Sequence, residues 1–200
     1  MVVTVDNCVK KCFNSCMEQT KIEIKILKND CNKILDKQDI ESSFFAESNK
    51  SSVLNQITLS GRYNCVYTIA TSYFDLTEKR VILDDNLLFI CLISKIVVID
   101  LTKETLLHTI DMGRCWLYQI CKFKSGYFLH GELNNYFLDK SFYVVWEESC
   151  CDIFFNSKVE KDLEIFENYI VAWDWYGWKH YYNESGEFKT ECYPEYSMSD

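Results

Sequence analysis

The sequence predicts a mainly β protein whose antiparallel strands fall into repeats of about 40 residues, with a short N-terminal helix. Either a partial β-propeller-like arc or a curled β-meander satisfies that pattern. Three observations predict it. From residue 57 onward the chain is a succession of short apolar runs rich in Ile, Val, Phe, Tyr and Trp, broken by brief polar stretches, which is the texture of strands. No stretch in that region sustains helical spacing over three turns. Finally, the order strand, tight turn, strand, polar turn, strand recurs with starts near Leu88, Tyr127 and Tyr169, a period typical of propeller blades.

Taken in order, residues 1–20 place Val5, Val9 and Phe13, and Cys8, Cys12 and Cys16, at spacings of four, which predicts a short amphipathic helix. Thr20–Lys28 then alternates Ile22, Ile24 and Ile26 with Glu23 and Lys25, the signature of a half-buried strand. Residues 29–56 are polar and read as a long loop or a poorly ordered segment. The expected organisation is therefore an N-terminal segment, 1–56, and a β-repeat domain, 57–200. Strands are expected at Val66–Ala70, Val81–Leu83, Leu87–Ile93, Ile96–Leu101, Leu106–Ile110, Leu117–Phe123 and Tyr127–Gly131. They continue at Tyr136–Leu138, Phe142–Trp146, Asp152–Phe155, Leu163–Phe166, Tyr169–Trp173, Lys179–Asn183 and Phe188–Cys192. Within the repeats, Asp100, Asp139 with Lys140, and Asn183–Gly186 occupy corresponding polar turns.

Composition narrows the function. Apolar residues at 48% and charged residues at 26% are those of a globular chain of 200 residues able to bury one ordinary core. The net charge of −9 is concentrated: residues 141–200 hold 4 basic and 13 acidic side chains, and 16 of the 31 aromatics. Such a chain repels phosphate backbones, which excludes nucleic acid as a direct ligand and favours a basic partner. No run approaches eighteen apolar residues, and the polar start MVVTVDNCVKKCFNSC lacks a signal-peptide core, so a cytoplasmic protein without a membrane span is expected. An odd count of 11 Cys points to free thiols in a reducing compartment.

Catalytic signatures are missing from the sequence. It contains no GxSxG elbow, no HExxH and no glycine-rich phosphate loop. Cys8, Cys12 and Cys16 do not match the pair spacing of zinc or iron–sulfur sites, and His108, His130 and His180 read as structural. No catalytic residue, no metal site and no cofactor is therefore assigned. Asp174 and Glu184 are the one carboxylate pair to consider for glycoside chemistry.

The strongest feature is the run Trp173, Asp174, Trp175, Tyr176, Trp178. Alternate residues of a strand point to opposite sides, so three tryptophans within six residues cannot share one core face. Some should be exposed, as aromatic anchors of a binding surface. The candidate partner-binding set is Trp173, Asp174, Trp175, Tyr176 and Trp178, with Glu184 and Glu187 joining Asp174 as steering charge.

The same segment, with Trp173, Asp174, Gly177, Trp178, Tyr181, Gly186 and Glu187, resembles a group of bacterial propeller-like β proteins that carry a Trp-Asp loop, a Gly-Trp pair and a glycine turn. The resemblance covers roughly residues 60–190, and it departs from the group where Trp175 and Tyr176 replace the usual prolines. It implies a propeller-like fold of bacterial cytosolic origin and no particular activity. The functional expectation is a non-enzymatic protein-binding module, of the immunity type that occludes a basic toxin or nuclease. The alternative is a carbohydrate-binding or carbohydrate-processing domain.

Overall fold

The computed structural model describes residues 3–6, 20–27, 52–72, 76–113, 115–149, 152–154, 163–186 and 188–191. It divides into two units, Met1–Glu78 and Lys79–Asp200. Cys8, Cys12, Cys16, Cys150, Cys151 and Glu187 lie outside the described residues.

The first unit is one antiparallel sheet of β1 (Val3–Asp6), β2 (Lys21–Leu27), β3 (Ser52–Ser60) and β4 (Cys65–Ser72), in the order β1-β4-β3-β2. The strand expected at Thr20–Lys28 is present. Two expectations are corrected. Val3–Asp6 is a strand paired with Val66–Ile69 rather than helix, and the polar segment gives way to strand at Ser52, because β3 pairs with β4 over Ser52–Leu59 and with β2 over Leu54–Ser60. The pairing supplies the backbone bonds that a polar surface sequence does not advertise. Asn55, Ile57 and Leu59 alternate into the core beside Tyr67 and Ile69, and the Asn55 amide oxygen accepts from the Leu76 N–H at 2.9 Å.

The second unit repeats one plan three times. Its sheets are β5 (Val81–Asp84), β6 (Leu87–Cys91), β7 (Lys95–Asp100) and β8 (Thr105–Asp111); β9 (Leu117–Phe123), β10 (Gly126–Gly131), β11 (Asn134–Leu138) and β12 (Val144–Ser149); and β13 (Leu163–Ile165), β14 (Ile170–Trp173), β15 (Lys179–Tyr182) and β16 (Phe188–Glu191). Each is a four-stranded antiparallel meander with its strands in sequence order. The strand expected at Asp152–Phe155 is not formed over 152–154. Among the described residues the helical structure is a 3₁₀ turn, Glu78–Arg80, and no helix is long and apolar enough to cross a membrane.

Strand alternation explains how the three sheets stack. In the middle sheet, Ile120, Tyr127, Leu129, Tyr136 and Leu138 face one way and join Phe89, Cys91, Ile96 and Val98 of the preceding sheet. Their neighbours Cys121, Phe123, Phe128 and Phe137 face the other way and join Leu163, Ile170, Ala172 and Tyr182 of the following sheet. A period of two thus gives the middle sheet two apolar faces and buries both. Face-to-face stacking of successive meanders is the propeller-like arrangement that the repeat predicts.

The recurrent turn after the third strand has a common cause. Asp100 Oδ1 accepts from the N–H groups of Thr102 and Lys103 at 2.9 and 3.2 Å, and Asp139 Oδ1 from those of Ser141 and Tyr143 at 2.8 and 3.0 Å. Asn183 Oδ1 accepts from the Ser185 N–H at 3.0 Å. Each turn then closes through a left-handed residue, Glu104, Phe142 or Gly186. An Asp or Asn that bonds the backbone two residues on is what such turns require.

Candidate interaction surface

Because every strand reverses direction, the turn between a sheet's second and third strands lies at the same edge as the connection that enters the next sheet. A run of backbone hydrogen bonds stitches this edge together. The Leu117 N–H donates to Ile93 O at 2.6 Å, the Glu132 N–H to Trp116 O at 2.7 Å, the Phe154 N–H to Glu132 O at 2.7 Å, and the Trp175 N–H to Ile153 O at 2.8 Å. Glu132 and Trp175 occupy corresponding turns, and Trp116 and Ile153 corresponding entry segments. Trp116 and Trp175 are therefore linked by three strand-like spacings, about 15 Å in all.

The loop 174–178 is the widest of these turns and has a buried frame. Asp174 and His180, each about 5% exposed, meet at 3.1 Å between Oδ2 and Nε2. Asp174 Oδ1 accepts from the Trp178 N–H at 2.9 Å, and its backbone carbonyl from the Gly177 N–H at 3.0 Å. Gly177 has φ of 85°, a conformation that costs glycine nothing and strains any residue with a Cβ. The Phe154 ring packs edge-on against His180 with centroids 5.2 Å apart. On this frame Trp175, Tyr176 and Trp178 stand 50%, 55% and 42% exposed.

The predicted site residues therefore separate. Trp175, Tyr176 and Trp178 share the exposed loop. Trp173 and Asp174 do not belong to that surface: Trp173 is 8% exposed, with Lys179 Nζ 5.9 Å from its ring centroid, and the Asp174 carboxylate is committed to the loop's own N–H and to His180. Glu184 lies past the far end of β15, at the opposite edge, where its carboxylate accepts from the Ser125 hydroxyl and N–H of the neighbouring sheet. Its carbonyl accepts from Trp146 Nε1 at 3.1 Å. The six residues from Trp178 to Glu184 span about 20 Å of extended chain, so the Asp174–Glu184 pair cannot flank one glycosidic bond. Glu184 is a strut between sheets, as is Asp84 on the same edge, which binds Lys122 and accepts from the Tyr127 hydroxyl at 2.9 Å.

Sequence reasoning missed two exposed apolar residues on the loop's own edge, Trp116 and Leu133, at 55% and 46%. The repeat register was the signal that could have found them, since it places both on the edge that carries Trp175. They border a cleft of about 320 Å³ with Met112, Glu132, Tyr136 and Glu147. Gly131 makes the approach possible, because a Cβ there would come within 2.7 Å of Cys115 Sγ and Asn134 O. Burial, with Cys115 and Glu147 beside it, pushes the Tyr136 phenol up, so it stays protonated. Among the described residues no group of three or more His, Cys, Asp or Glu gathers to hold a metal.

No family model matches this chain, and no curated protein matches it. Among solved structures it is similar to BamB from Moraxella catarrhalis, at 11% identity over 73% of this chain and 48% of that one, with a TM-score of 0.48. It is also similar to Kluyvelomyces marxianus Hsv2, at 7% identity over 69% and 44% with a TM-score of 0.42, and to the AfRom2 CNH domain, at 12% identity over 72% and 48% with a TM-score of 0.45. The chain spans about half the length of each of these solved chains.

Proposed function

We propose that this chain is a non-enzymatic protein-binding module whose docking surface is the sheet edge presenting Trp175, Tyr176 and Trp178. One observation carries the reading: three large aromatics are held at about half exposure by a buried Asp174–His180 frame. A rigid loop that keeps apolar rings in water serves association, because the rings lose little entropy on binding and bury much area. The partner is a basic protein, since the acidic excess of residues 141–200 raises its rate of encounter. Within this class the chain is an immunity-type protein of the cytoplasm that occludes a basic toxin or nuclease.

The test is co-purification from the native host with tagged full-length chain, followed by reconstitution from purified components. A basic protein retained by the native chain and lost with Trp175→Ala and Trp178→Ala, both still folded, supports the reading. Retention undiminished by both variants overturns it.

A further inference from the structure

Beside the aromatic loop, the cleft bordered by Trp116 and Leu133 has a chemistry of its own. It is lined by the exposed Trp116 and Leu133, by Met112, by the buried Tyr136, and by Glu132 and Glu147. Two carboxylates, Glu132 in the β10–β11 turn and Glu147 on β12, line a space that, among the described residues, no Lys, Arg or His lines. Glu147 is held in place, since one carboxylate oxygen accepts from Asn134 Nδ2, which also donates to Ser149 Oγ at 3.1 Å. The backbone bond from the Glu132 N–H to Trp116 O fixes the two sides of the cleft relative to each other.

We infer that this cleft receives an arginine side chain of the partner protein, with the guanidinium on the Trp116 indole and its N–H groups donating to Glu132 and Glu147. The inference rests on the protein-binding reading above and names the chemistry the partner must carry. An apolar wall in a cleft lined by two carboxylates asks for a guest with a methylene stem and a cationic head. A flat indole selects the planar guanidinium over the ammonium, which is more strongly hydrated and cannot stack. Five donors in a plane also suit two acceptors held on separate elements, a turn and a strand. The stitched edge puts the cleft about 15 Å from Trp175, within one partner footprint of standard size.

The test uses the full chain and three blocked pentapeptides, Gly-Gly-X-Gly-Gly, with X as arginine, lysine or citrulline, followed by NMR through the indole N–H signals. Trp116→Phe assigns the Trp116 signal by its loss. The arginine peptide should shift that signal saturably. Citrulline should bind at least tenfold more weakly, lysine severalfold more weakly, and the folded double variant Glu132→Gln/Glu147→Gln should lose at least tenfold in arginine affinity. Equal binding of citrulline or lysine, an unaffected double variant, a response confined to Trp175 and Trp178, or no response overturns the inference. Should a reconstituted partner be lost with Trp175→Ala while the peptides leave Trp116 unmoved, the cleft assignment fails and the docking loop stands.

Discussion

Asp174 Oδ2 lies 3.1 Å from His180 Nε2, with both side chains buried, while the other carboxylate oxygen accepts from the Trp178 N–H. The carboxylate thus closes the loop from both ends, and its charge is spent inside the fold. Asp174→Ala should cost about 1–3 kcal/mol, since it leaves buried donors unpaired, and Asp174→Asn should cost less, because an amide oxygen can still accept from Trp178. Urea unfolding of the two variants checks the ranking. Native stability in Asp174→Ala would mean that the loop is held by other contacts.

Trp173 and Trp175, two residues apart, should behave oppositely. Trp173 is buried against Lys179, so Trp173→Ala should cost about 3–5 kcal/mol of stability as a large core truncation. Trp175 is half exposed, so Trp175→Ala should leave stability within about 0.5 kcal/mol yet weaken partner affinity by about 2 kcal/mol or more. Thermal unfolding and titration calorimetry on the same two variants separate these effects.

Much of the second unit was legible because its signals are local. The apolar runs of Leu87–Ile93 and Tyr127–Gly131 mark strands with two buried faces, and Asp100, Asp139 and Asn183 mark the turns through bonds made within two to four residues. The strands β1 and β3 were hidden for the opposite reason. Val3–Asp6 pairs with β4 across sixty or more residues of sequence, and the polar start of Ser52–Ser60 is strand because its partners make it so. At the surface, three crowded tryptophans required some exposure, but which ones depended on Asp174 turning inward, and the sequence spacing of a charge beside aromatics does not record that. Sequence proximity groups Glu184 with the loop, whereas β15 carries it to the opposite edge, against Ser125.

Acid should unfold the protein through its turn carboxylates. The Thr102 hydroxyl holds the Asp100 carboxyl well below the usual carboxylate range, against an opposing burial effect, with help from the Thr102 and Lys103 N–H groups and Asn86. Burial also opposes ionisation of Asp84, but Lys122 and Tyr127 outweigh it and hold that carboxyl low. A depressed folded pKa means that the unfolded chain takes up protons first, near pH 4. The stabilisation is therefore complete above that value and is lost progressively as pH falls from there toward the lower folded pKa. Tm followed from pH 7 to pH 3 should drop below about pH 4.5, with a shallower drop in Asp100→Asn. An unchanged slope in that variant would remove Asp100 from the account.

The free thiols should differ in reactivity by position. Burial pushes the Cys91 and Cys121 thiols up to about 12. At pH 8 only roughly one molecule in ten thousand then carries the reactive thiolate at either site, and reagent cannot reach the buried sulfur in any case. Cys65 is buried as well, whereas Cys115 is half-buried and lines the cleft beside Trp116. Iodoacetamide labelling of the native protein at pH 8, read by peptide mass spectrometry, should modify Cys115 well before Cys65, Cys91 and Cys121, and all four should react in urea. The same experiment reports on the cleft. A guest seated on Trp116 lies against Cys115, so saturating arginine pentapeptide should slow labelling at Cys115 and leave the other three unchanged, and the citrulline peptide should not. Rapid native labelling of Cys91 or Cys121 would show that the packing between the first two sheets of the second unit, or between the second and third, opens far more readily than their burial implies.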